Sequence, residues 1–277
     1  MPSVLLMLMV IPLNEWSIGG VPVSTPKVDD ARLMALIWGD TGAGKTTLAS
    51  TAPGVKLHLC FDPTGYLSLA GRTDVAVLNL AGEAPSTLIT KFAAADPYGI
   101  EAFIRSHEDV QTIIADSMTT FAYKALQHVT TARKGGAGTL DIPGIPGYSQ
   151  RNTHVVRMVV SLMTIAERYK RNLILITHEG TRDEETKRIT MVLAKNTANQ
   201  IGLRLNEIWH LTDDGTKHTI AVRPYLLREP MKTRMFETNK AASFTWRYDP
   251  DTNEGGTIDG WLTAWQKGGG RKLPLPV

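Results

Sequence analysis

Leu33-Met34-Ala35-Leu36-Ile37-Trp38-Gly39-Asp40-Thr41-Gly42-Ala43-Gly44-Lys45-Thr46-Thr47-Leu48-Ala49-Ser50 decides how this chain is read. Leu33 to Trp38 is an unbroken apolar run, as in a strand buried on both faces. A Gly-rich turn follows, and residues 46–52 read as a helix that stops near Pro53-Gly54. Between strand and helix, Gly39 to Thr46 match the pattern G-x-x-x-x-G-K-[ST] in full. The glycines of such a loop let the backbone curl so that its N–H groups face a phosphate at a helix N-terminus. Lys45 supplies charge to the β- and γ-phosphates, and the Thr46 hydroxyl is a magnesium ligand. Gly39, Asp40, Thr41, Gly42, Ala43, Gly44, Lys45, Thr46 and Thr47 are therefore the expected contacts of ATP, with Mg2+ as its companion.

Working outward, Val55–Cys60, Val75–Leu80, Gln111–Ala115 and Leu173–Thr177 read as further strands. Asp116 follows the third of these. An acid at the C-terminal edge of a buried strand holds magnesium, usually through water, so Asp116 joins Thr46 as an expected metal ligand. The fourth leads into His178-Glu179, where His178 is placed to sense a γ-phosphate and Glu179 is a candidate water-activating base. A strand-end histidine capping a loop and a surface acid are the plainer readings of that pair. Met118, Phe121, Ala122, Ala125, Leu126 and Val129 recur at helical spacing. Residues 134–149 are too rich in Gly and Pro for regular structure and read as a mobile loop, with a long helix from Gln150 to Lys170 behind it. Arg188–Leu193, Glu207–Leu211, His218–Arg223 and Ser243–Tyr248 look like strands joined by turns such as Asp214-Gly215. A short helix at 260–265 and a tail with Lys267, Arg271 and Lys272 close the chain. Crossover helices among the early strands require a parallel sheet, and the later hairpins an antiparallel extension at one edge. The expected fold is α/β, in three layers.

At 277 residues with 43% hydrophobic and 21% charged residues, the chain suits one α/β domain with additions. The expected division is an N-terminal arm and linker at 1–31, a core at 32–250, and a C-terminal helix with a basic tail at 251–277. The formal charge of +3 confines any nucleic-acid site to a local patch. Cys60 is the one cysteine, which excludes a disulfide within the chain and fits a reducing, cytoplasmic setting. Val4–Leu13 is apolar but lacks the flanks of a signal peptide and is too short to span a bilayer, so no membrane partner is expected. It packs on its own domain or on a neighbouring subunit, with export as the remaining reading.

The Gly-rich loop, the strand ending Ala115-Asp116-Ser117 and the strand Leu175-Ile176-Thr177-His178-Glu179 resemble, in this order, the RecA-like ATPases. The chain is more closely similar to the phage nucleotide-binding proteins of the Sak-four type, single-strand annealing recombinases with a RecA core. The Gly/Pro loop before a long helix and Met231-Lys232-Thr233-Arg234 add to that likeness, which covers residues 32–250. The resemblance implies a RecA-like P-loop NTPase core and homo-oligomeric filaments or rings on single-stranded DNA. It also implies annealing or strand exchange, and admits a single-strand-binding protein of host or phage as a partner. The two DNA-facing loops of the family fall at Arg133, Lys134 and Arg151, and at Arg182, Lys187 and Arg188, where Asp183, Glu184 and Glu185 dilute the charge. Lys232 and Arg234 alternate, so a strand would set both on one face, able to reach a γ-phosphate bound by the adjacent subunit. One departure stands out. The family places a catalytic glutamate just after the second strand, but here Cys60-Phe61-Asp62-Pro63-Thr64-Gly65 has Thr64 at that point. Either Asp62 substitutes, or Glu179 does the work, or hydrolysis is slow. Two rivals are an ATPase that loads or remodels a replication complex and a nucleotide-gated binder that hardly hydrolyses ATP.

Overall fold

The computed structural model describes residues 17–18, 21–22, 28, 31–133, 144–193, 195–225, 227–249, 252 and 254–276. The chain divides into two compact units, Met1–Ala31 and Arg32–Val277. Within the first, Ser17–Ile18 pairs with Val21–Pro22 in a minimal antiparallel ladder. The apolar run Val4–Leu13 lies outside the described residues, as do Lys134 and most of the Gly/Pro stretch.

The second unit is built on an eight-stranded sheet, with a small separate ladder of Tyr248–Asp249 and Glu254–Gly255. In chain order the elements are β1 (Met34–Gly39), α1 (Lys45–Ser50), β2 (Val55–Cys60), β3 (Val75–Asn79), α2 (Pro85–Phe92), α3 (Ile100–Ser106), β4 (Val110–Asp116) and α4 (Met118–Arg133). Then come α5 (Ile145–Arg168), β5 (Asn172–His178), α6 (Lys195–Gly202), β6 (Glu207–Asp213), β7 (His218–Ala221), β8 (Ser243–Trp246) and α7 (Ile258–Lys267). The strands lie in the order β8-β7-β6-β1-β5-β4-β2-β3. From β6 to β3 every pairing is parallel, and β7 and β8 extend the β6 edge antiparallel. Strand β5 is thus inserted between β1 and β4, and the registers Gly39↔His178 and Cys60↔Asp116 bring four strand ends to one edge of the sheet.

Alternation along each strand sends neighbouring residues to opposite faces, which is how apolar runs come to be buried twice over. Leu36, Leu59, Ile113 and Leu175 join the core under α2, α4 and α5. Ala35, Ile37, Ile114 and Ile176 join a second core with α1 and α7. The first is mostly aliphatic. The second is richer in aromatics, with Trp209, Phe236, Phe244 and Trp261 meeting ring to ring and Trp246 stacked on Tyr248. Helix α7 belongs to this core through Ile258 and Leu262, and the backbone N–H of Ile258 donates to the Thr51 hydroxyl at 2.9 Å. The C-terminal segment is therefore part of the domain. Leu273 in the tail bonds back to Met235.

The structure corrects two local expectations and adds one helix. Helix α5 begins at Ile145, inside the stretch expected to be irregular, because Pro146 sits in the first turn, where its missing N–H costs nothing. Residues 188–193 form no strand. They touch their neighbours at single bridges, Ile189 with Arg228 and Met191 with Glu179, since β1 and β4 already occupy both edges of β5. The polar run at 195–202 is helical, anchored by Ala198 and Ile201, with too few apolar positions to signal a helix beforehand. Among the described residues no helix is long and apolar enough to cross a membrane.

Candidate nucleotide site

Strand β1 delivers Gly39 to the sheet edge so close to β6 that a Cβ there would fall 2.0 Å from the Leu211 carbonyl oxygen, so only glycine fits. The chain then turns through Gly44, whose φ of +87° is the left-handed conformation glycine tolerates, and enters α1 at Lys45. Lys45 is 6% exposed. Its ammonium donates to the carbonyls of Gly39 at 3.1 Å and Asp40 at 2.6 Å. Burial pulls Lys45 below its ordinary value, against the opposing pull of Asp116, Asp40, Asp62 and Glu179.

Although β5 separates β1 from β4, helix α1 carries Thr46 across to Asp116. The Thr46 hydroxyl donates to Asp116 Oδ2 at 2.6 Å. Thr41, Gly42, Gly44, Lys45, Thr46, Thr47, Asp62, Thr64, Gly65, Ser68, Asp116 and His178 together line a cavity of about 430 Å3. Asp62 accepts a hydrogen bond from the Thr120 hydroxyl. The backbone N–H of His178 donates to the Thr119 hydroxyl at 2.9 Å, which in turn meets Thr177 at 3.0 Å and fixes the end of β5. Burial first, and the Lys45 charge next, push the His178 imidazole below its ordinary value.

Other residues singled out from the sequence lie elsewhere. Glu179 does not line the cavity. Its backbone N–H bonds to Gly39 at 2.8 Å, and its carboxylate lies 2.6 Å from His210 Nε2 and 3.9 Å from Arg228. Lys232 and Arg234 do not share a strand face. Lys232 bridges Ile208 through its backbone, and its ammonium donates to the carbonyls of Leu205 at 2.6 Å, in the loop after α6, and of Gly202 at 3.4 Å, the last residue of α6. The Arg234 N–H donates to the buried Glu207 carboxylate at 2.8 Å. Neither cation lines the cavity of its own chain. Arg133 is the last residue of α4. Arg151, in α5, lies 5.1 Å over the Tyr148 ring and donates to Asn152. Arg182 bonds to the Lys187 carbonyl at 3.1 Å, and Arg188 pairs with Glu229 at 2.5 Å.

Sequence reasoning passed over Thr119 and Thr120, which brace His178 and Asp62, and over His58 and His210, which touch Asp116 and Glu179. The only advance signal was a polar residue inside an apolar strand, at His58 and His210.

Among the described residues no cluster of three or more His, Cys, Asp or Glu is arranged to hold a metal by itself. Thr46 and Asp116 instead offer two hard oxygens at one point, a donor set that suits Mg2+ arriving with nucleotide phosphates. The family model described as an AAA domain matches residues 31–234. No curated protein matches the chain. The family match supports a P-loop ATPase and is silent on DNA annealing. It spans well over half of the chain, which therefore belongs to the AAA domain family, P-loop ATPases that bind ATP, typically with Mg2+.

Proposed function

We propose that the chain hydrolyses Mg2+-bound ATP in the cavity at Gly39–Thr47 and uses the cycle to act on single-stranded DNA, as a recombinase or annealing protein of phage type assembled into a homo-oligomer. The observation that carries the nucleotide half is the meeting of Thr46 and Asp116 at 2.6 Å beside a buried Lys45. Mg2+, when bound, neutralises charge on the transferring phosphoryl group. The loop N–H groups and Lys45 hold the phosphates. His178 donates to the γ-phosphate. Asp62, in the cavity and braced by Thr120, orients the attacking water in place of the missing glutamate. Arg234, which does not line the cavity of its own chain, acts on the phosphate of an adjacent subunit.

Support for the DNA half is the Tyr148–Arg151 pair in the first turns of α5, which packs against α4, the helix that ends in Arg133. An aromatic ring with a cation over it suits a flexible phosphate chain and its bases. Arg182, Lys187 and Arg188 form the second contact segment. A single-strand-binding protein is a natural further partner. A nucleotide-gated binder with little turnover is the second reading, favoured by Thr64 lining the cavity where a glutamate is expected.

Turnover should require Mg2+, rise with single-stranded DNA and vanish in Lys45→Ala without a change in melting temperature. Neutralising Arg133, Lys134 and Arg151 together should flatten the salt dependence of DNA binding, because fewer counterions are released. Normal ATP binding by Lys45→Ala would sink the nucleotide site. An unchanged salt slope would sink the DNA assignment. ATP binding without turnover, with DNA present, would favour the gated binder.

A further inference from the structure

A polar side chain inside a buried strand needs a partner, because an unpaired one keeps its full desolvation cost. Strand β2 has three such residues, Lys56, His58 and Cys60, alternating with Leu57 and Leu59 and so set on one face. Lys56 meets Asp74 at 2.6 Å. The Cys60 thiol lies 3.2 Å from the Asp62 carbonyl oxygen. His58, between them, has no solvent exposure. Its Nε2 stands 3.3 Å from Asp116 Oδ2 on the adjacent strand, the same oxygen that accepts the Thr46 hydroxyl. Its Nδ1 is buried without a hydrogen-bond partner.

A residue chosen to fill space here would be apolar, like its neighbours Leu57 and Leu59. The imidazole instead carries an unpaired nitrogen, and its one polar contact goes to Asp116. A carboxylate turns easily about its last bond, where the preferences are broad and roughly two-fold. Two donors on one oxygen remove that freedom. Partners of this kind commonly set the orientation of groups that bind a metal.

We infer that His58 is a positioning residue for Mg2+-bound ATP: its Nε2–H donates to Asp116 and holds that carboxylate in register with Thr46. The inference rests on the proposed magnesium role of Thr46 and Asp116. His58 touches neither nucleotide nor metal and acts through Asp116.

The test is the Mg2+ dependence of binding of a fluorescent ATP analogue, with a melting curve for every variant. Wild type is compared with Thr46→Ala, His58→Leu, His58→Asn and His58→Gln. The asparagine amide is too short to reach Asp116, whereas the glutamine amide reaches close to the place of Nε2. His58→Leu and His58→Asn should raise the Mg2+ needed for tight binding by about 10–100-fold while binding without Mg2+ stays within about twofold. His58→Gln should recover most of the loss. A folded His58→Asn with the wild-type Mg2+ requirement overturns the inference. Equal losses in Asn and Gln also overturn it, since packing rather than donation would then be at stake. If His58→Leu does not fold, the Asn and Gln pair decides. Should Thr46→Ala match wild type, the magnesium site itself fails, an outcome distinct from failure of His58 alone.

Discussion

Two strand ends flank the nucleotide cavity, and each offers an acid. At the end of β2, Asp62 lines the cavity and is braced by Thr120. At the end of β5, His178 lines it, and Glu179, one residue on, is turned to His210 and Arg228. Adjacent residues of an extended chain point to opposite sides, so a strand end can give the cavity one of such a pair and not both. The buried His210 gives Glu179 a task of its own. Burial pushes that imidazole below its ordinary value, against the opposing pull of the Glu179 carboxylate. An acid at a strand end is thus defined by what stands behind it.

The comparison breaks most visibly in catalysis. Asp62→Asn should lower single-turnover hydrolysis about 100-fold or more, within the range for a lost general base, with ATP affinity close to wild type. Glu179→Gln should lower it much less. The reverse ranking would transfer the base to β5.

Stability should separate the two ends in the opposite sense. Glu179→Ala removes the acceptor of a buried His210 and the partner of Arg228. It should cost about 2 kcal/mol in urea denaturation, the scale of a hydrogen bond to a charged group. Asp62→Ala, at the mouth of a cavity, should cost less. Equal costs would mean that Glu179 has no structural task.

The smallest effect is electrostatic. Lys45 titrates below 10.5 because it is buried, and Asp62 opposes that pull more than Glu179 does. Phosphate binding uses the ammonium form. Affinity for ATP is therefore fully present below the pKa of Lys45 in the folded protein and is lost as pH rises through it, beginning short of 10.5. Asp62→Asn should move that loss to lower pH by more than Glu179→Gln does. A titration of ATP affinity against pH for the three proteins checks the order.

The parts of the fold that long apolar runs encode were legible in the sequence. Val55–Cys60 is a strand with the expected bounds, and Leu33–Trp38 is shifted by one residue in β1. The Gly-rich loop announced its own turn. Less legible were contacts that exist only once the chain is folded, such as Thr120 on Asp62 or His58 on Asp116, 58 residues apart in each case. Lys232 shows the same limit. Its spacing from Arg234 suggested a strand face, but the carbonyls of Gly202, at the end of α6, and of Leu205, just beyond it, claim its ammonium. Pro146 misled for a different reason, since proline ends most helices but is at home in a first turn.

The indoles of the aromatic face make the chain its own optical probe. Of the six tryptophans, Trp209, Trp246, Trp261 and Trp265 gather in or against the core beneath α1. The Trp246 ring comes within 3.3 Å of where a Cβ on Gly44 would stand, at the last turn before Lys45. A triphosphate drawn to that turn brings several negative charges up to one indole while the other three pack in or against the apolar core. Unlabelled protein should therefore report nucleotide by a change in its own emission. Trp246→Phe should silence that signal and leave ATP affinity as it was.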